Sequence, residues 1–72
     1  MKLESQPDGI EEVVRISLSM DELYLIASSV NEAIECVDDW EFETRLGASK
    51  AAARNLHAEL GWLLRQLQDQ SR

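Results

Sequence analysis

"IEEVVRISLSMDE", residues 10–22, changes its periodicity half-way along. Val14, Ile16 and Leu18 share one parity and Val13, Arg15 and Ser17 the other, the alternation of a half-buried strand over residues 10–18. Ser19 follows at once, with Glu22 three residues on. At that spacing a hydroxyl and a carboxylate reciprocally satisfy the orphan amides of a helix start. Leu23, Ile26, Ala27, Val30, Ala33, Ile34 and Val37 then recur at i, i+3, i+4 and i+7, predicting an amphipathic helix over residues 20–37. A strand feeding a long helix makes the chain α+β.

Downstream, Asp38 or Asp39 is placed to cap a second, short helix over residues 40–46, with Phe42 and Leu46 facing one way at i, i+4. Trp40 and Phe42, two apart, cannot both face the core; Phe42 is the core residue and Trp40 is expected over the hinge between helices. Gly47 ends this helix, because glycine enters the left-handed region without steric cost. Ser49 caps a third helix over residues 50–68 with the stripe Ala53, Leu56, Leu60, Leu63, Leu64 and Leu67. Upstream, Pro7-Asp8-Gly9 is turn chemistry, so the first five residues either fold back as a poor second strand or fray. The expected organisation is a flexible segment 1–9, one α+β domain over 10–68 and a frayed tail 69–72.

A 72-residue chain has room for one small core, giving about 3–5 kcal/mol. One cysteine, Cys36, excludes an internal disulfide, and with a single histidine no structural zinc site can be assembled. Self-association is the remaining supplement. The strand points the same way, since its backbone groups need partners. The expected partner is the same strand of a second copy, Val13, Val14, Arg15, Ile16, Ser17 and Leu18 pairing antiparallel across a homodimer axis. A foreign sheet edge is the alternative. No apolar run reaches signal-peptide or membrane-span length, so a cytoplasmic protein without membrane contact is expected.

Charge is unevenly divided. Residues 1–44 carry twelve acids against Lys2 and Arg15, net −10, and residues 45–72 are net +3. The stretch "DDWEFETRLGASKAAARNL", residues 38–56, has the outline of a helix-turn-helix, and Lys50, Arg54, Arg65 and Arg72 form a stripe on the third helix. The exposed start of that helix reads "SKAAARN", poor in groups that read base edges, and the acidic half would repel phosphate. Cys36 and His57 lie on different sides of their helices, so no nucleophile–base pair is expected and the chain is read as non-enzymatic. Asp38, Asp39, Glu41 and Glu43 lack the glycine of a cation loop and read as capping and acidic surface, with no metal or cofactor expected. Trp62 and Leu25 fall on the outer faces of their helices. With Trp40, Asp38, Asp39 and Glu41 they are the candidate partner-binding residues, since exposed tryptophan is enriched among interface anchors.

"NEAIE", residues 31–35, together with "WEFETRLGAS", residues 40–49, resembles a group of short bacterial proteins built from a strand, an Asn-Glu-Ala helix and a Phe-x-Thr-Arg-x-Gly corner. The resemblance spans residues 16–60 and carries no activity, ligand or catalytic residue. It implies that Asn31, Glu32, Phe42, Thr44, Arg45 and Gly47 act together. A structural clasp of Asn31, Glu32, Arg45 and Gly47 is expected, Arg45 reaching back to Glu32 or Glu35. The functional expectation is a small acidic dimeric module that binds a basic protein partner, in the manner of an immunity or inhibitor protein. A small helix-turn-helix regulator of nucleic acid is the alternative.

Overall fold

The computed structural model describes residues 1–5 and 13–70. The element order is β1 (Lys2–Ser5), β2 (Arg15–Ser17), α1 (Met20–Cys36), α2 (Asp39–Leu46) and α3 (Lys50–Gln70). This is the expected α+β class, with one correction at the N-terminus. The strand expected over residues 10–18 is laddered only at Arg15, Ile16 and Ser17; Val13, Val14 and Leu18 lie outside it, and residues 10–12 lie outside the described residues. Its partner is β1 of the same chain, antiparallel, with Lys2 opposite Ser17, Leu3 opposite Ile16 and Ser5 opposite Arg15 across an irregularity between Leu3 and Ser5. Residues 2–5 are therefore the second strand that the Pro7-Asp8-Gly9 turn chemistry allowed for the first five residues, and not part of a flexible segment 1–9. Closing a loop of this length costs little entropy, so local pairing satisfies one edge of β2 without a second molecule.

The capping box that opens α1 is formed in full. Ser19 Oγ accepts from the Glu22 amide at 3.1 Å, and the Glu22 carboxylate accepts from the Ser19 amide at 2.9 Å. That carboxylate also accepts from the Met1 ammonium at 2.6 and 2.7 Å. These bonds, the ammonium's first, hold the Glu22 carboxyl down at about 2. The expected stripe is the inward face of α1: Leu23 and Ala27 are buried, and Ile26, Val30, Ala33, Ile34 and Val37 are half-buried.

Helix α2 begins one turn later. Asp38 is its N-cap through its backbone carbonyl, which accepts from the Glu41 amide; its side chain makes no capping bond. Gly47 closes the helix with φ +80°, its amide donating to Glu43 O at 2.9 Å. The Ala52 amide donates to Ser49 Oγ at 3.1 Å, capping α3 as expected. Helix α3 continues through Asp69 to Gln70, so the first half of the expected frayed tail is helical; residues 71–72 lie outside the described residues. The end of α3 is tied down, for Gln68 Nε2 donates to Tyr24 Oη near the start of α1. At the opposite end Lys50, the first residue of α3, donates to Val37 O, the C-cap of α1. Helices α1 and α3 are thus antiparallel, with the hairpin at one end of the pair and α2 at the other.

The core is thin for the apolar content. Leu23, Ala27 and Phe42 are the buried hydrophobic residues, whereas Leu46, Leu56 and Leu63, all on expected core faces, are exposed. Among the described residues no helix packs against β1 or β2, and the tie to α1 is the Met1 ammonium on Glu22. The molecule measures 40 × 35 × 17 Å with a radius of gyration of 14.1 Å, where a compact chain of this length has about 11 Å. Its accessible surface is 5907 Å², and a compact monomer of 8.2 kDa exposes about 4,500 Å². No described helix is long and apolar enough to cross a membrane.

Candidate partner-binding site

The corner between α1 and α3 is organised by Lys50. Its side chain is only 13% exposed. Nζ donates to Val37 O at 2.7 Å, pairs with Asp39 Oδ1 at 2.6 Å and stands 5.5 Å from the centroid of the Phe42 ring. Helix α1 has no basic residue in its last turn, so a cation delivered by α3 complements the exposed carbonyl end of its dipole. A hydrogen bond from Lys50, then its charge, lowers the Asp39 carboxyl below the ordinary aspartate range, with Arg54 adding to the field. One ammonium therefore joins all three helices.

This is a different clasp from the one the sequence suggested. Arg45 Nη2 bonds Glu41 Oε1 at 3.2 Å within α2 rather than reaching Glu32 or Glu35. The i, i+4 geometry on one helix brings that pair together at lower entropic cost than a long-range tie. Glu32 instead accepts from the Cys36 thiol at 3.5 Å, and Asn31 is half-buried in a recess between α1 and α3. Gly47 serves the corner through its backbone, as expected.

Of the candidate partner-binding residues, Trp40 is 80% exposed, on the first turn of α2 between exposed Asp39 and half-buried Glu41. It does not cover the hinge. Phe42, 2% exposed, takes the core position two residues on, and helical geometry turns Trp40 outward. Asp38 and Asp39 are exposed, the latter 86% at its side chain, but Asp39 and Glu41 are each already paired with a base of the same chain. Trp62 is exposed and shares a shallow recess with Glu59 and Leu63, which neither Leu25 nor Trp40 lines. Leu25 stands exposed on the outer face of α1. The six residues thus do not converge on one pocket.

An apolar cleft of about 260 Å³ was not anticipated. It opens between α1, α2 and α3, lined by Val30, Ala33, Phe42, Leu46, Ala48, Ala52, Ala53 and Leu56. The stripes that predicted the core contain Val30, Ala33, Phe42, Leu46, Ala53 and Leu56. The pattern marks them apolar but does not reveal that alanines on α3 leave the space between them unfilled.

A second recess of about 370 Å³ between α1 and α3 is lined by Tyr24, Ala27, Ser28, Asn31, Glu32, His57 and Leu64. Cys36 does not line it. The Cys36 thiol is pushed up, first by its bond to Glu32, then by some loss of hydration and by the charges of Glu32 and Glu35. A thiol held protonated in this way is a poor nucleophile. Among the described residues no group of three or more His, Cys, Asp or Glu side chains is arranged to hold a metal ion. Comparison with protein families, with curated proteins and with solved structures finds no match to this chain.

Proposed function

We propose that this chain is a non-enzymatic protein-binding module that acts as a homodimer in the cytoplasm and captures a basic protein partner, in the manner of an immunity or inhibitor protein. The observation that carries the reading is Trp40, 80% exposed on a short helix whose first turn is acidic. Leaving an indole in water is costly, and tryptophan is over-represented among the anchors that dominate binding energy. Exposed Asp38, which forms no ion pair among the described residues, suits an arginine-bearing surface, which stacks on the indole while pairing with the acid. A net charge of −7 adds long-range steering of such a partner.

The runner-up, a helix-turn-helix regulator, needs the bases of α3 turned towards phosphate. Lys50, at the start of that helix, is engaged with Val37, Asp39 and Phe42 instead.

The test is capture from lysate on immobilised wild-type chain, beside Trp40→Ala and Asp38→Lys chains. The reading expects a basic protein retained by the wild type and lost from both variants. Retention of nothing basic, or retention indifferent to both substitutions, refutes it. Micromolar binding of mixed-sequence duplex DNA that weakens steeply with salt would establish the regulator in its place.

A further inference from the structure

The hairpin and the cleft are two apolar surfaces that one copy leaves uncovered. Leu3 and Ile16 are directly opposed in the ladder, so their side chains stand on the same face of the hairpin. Lys2 and Ser17, the neighbouring pair, take the other face. Leu3 and Ile16 are exposed, and among the described residues no helix packs on the strands. An isolated two-stranded hairpin is marginal in water and needs a surface to pack against. The cleft is such a surface, apolar throughout, with Leu46 and Leu56 exposed at its rim.

A single chain cannot bring the two together. The hairpin joins α1 at Ser19, while Val30 and Ala33, the α1 residues lining the cleft, lie 11 and 14 positions further along. At the helical rise this is about 16–21 Å, with only Leu18 and Ser19 as the connection. A second copy running antiparallel removes the difficulty. A two-fold axis near the middle of α1 would carry each hairpin towards the other copy's cleft, so that both contacts could form together.

The exposed area supports that occupant. The surface of 5907 Å² exceeds that of a compact monomer by about 1,400 Å², an excess spread over the whole chain of which the hairpin face and the cleft are a part. Obligate homodimers bury from about 1,000 Å² per partner upward. We propose that the cleft between α1, α2 and α3 is the seat for the Leu3–Ile16 face of a second copy of this chain, so that the dimer is held by reciprocal exchange of hairpins. The inference rests on the dimeric reading above and names its interface.

Ile16→Glu and Leu56→Lys test it, because both side chains are exposed within one copy. The wild type is expected to sediment at twice 8.2 kDa. Each variant alone should dissociate, its dimerisation constant weakened roughly a hundredfold or more by an unpaired charge in an apolar seat.

Mixing the two variants should restore the dimer. One seat then pairs the introduced carboxylate with the introduced ammonium, and the other is wild type. If either variant unfolds when alone, the mixture should recover helical circular dichroism along with mass. A wild-type chain that stays monomeric overturns the dimeric reading itself. A wild-type dimer that survives either substitution, or variants that fail to rescue each other, overturns the exchanged seat alone.

Discussion

Replacing Phe42 with alanine should remove most of the stability of this fold. Phe42 is 2% exposed and is the one large side chain that is fully buried among the described residues. Phe→Ala in a core costs about 3–5 kcal/mol, part of which is the penalty for an enclosed void. Here the ring lines a cleft that already leaves space beside it, so truncation enlarges an existing void rather than creating a new enclosed one, and the lower end of that range applies. The ring also faces the Lys50 ammonium at 5.5 Å. Losing that contact adds about 0.5–1 kcal/mol. The sum, about 3–4 kcal/mol, approaches the whole stability such a small core supplies. Urea titration followed by far-ultraviolet circular dichroism at fixed chain concentration should show Phe42→Ala largely unfolded without denaturant. Phe42→Leu, which keeps most of the volume, should stay folded at a cost below about 1.5 kcal/mol. A Phe42→Ala chain within about 1 kcal/mol of wild type would refute the assignment of the core to this residue.

Lys50→Met keeps the apolar stem but removes the donor to Val37 O, and should cost about 1–2 kcal/mol in the same titration, against almost nothing for Arg54→Met; equal effects would contradict the role of Lys50 as the tie between helices. Gly47→Ala places a Cβ at φ +80° and should cost about 1–2 kcal/mol, with Gly47→Asn milder in thermal melts; an alanine variant as stable as wild type would show that the corner relaxes freely. Because the folded-state carboxyl of Glu22 lies at about 2, below its ordinary value of 4.5, its contribution is complete above pH 4.5 and is lost as pH falls towards 2. Glu22→Gln should therefore lower the melting temperature at neutral pH and flatten its fall between pH 4.5 and 2; an unchanged acid limb would contradict this.

The sequence carried the helices because their signals are local. The Ser19–Glu22 box, the apolar period of α1, the glycine at 47 and the Ser49 cap each act within a turn of helix, and each is formed. The strand was harder to read. Periodicity found β2, but Lys2–Ser5 has too little alternation to stand out, and pairing depends on chain return rather than on either segment alone. Burial was harder still. Leu46 and Leu56 share stripes with buried or half-buried neighbours, yet α2 is too short and the facing alanines too small to close over them.

The polar contacts show the same limit. A carboxylate four residues from Arg45 captured it before Glu32 could. Lys50 was assigned to a basic stripe, although a signal for its true position existed. Helix α1 ends at Cys36, capped by Val37, without glycine or a basic last turn, and Lys50 is the first base after the Gly47 corner.

The proposed exchange of hairpins requires that one copy of this chain be structurally incomplete. Sedimentation equilibrium across a wide range of concentrations, with thermal melts on the same samples, tests that claim most directly. A species of twice 8.2 kDa whose melting temperature rises with concentration is the predicted result. A folded 8.2 kDa species at every concentration, melting at one temperature throughout, would contradict it.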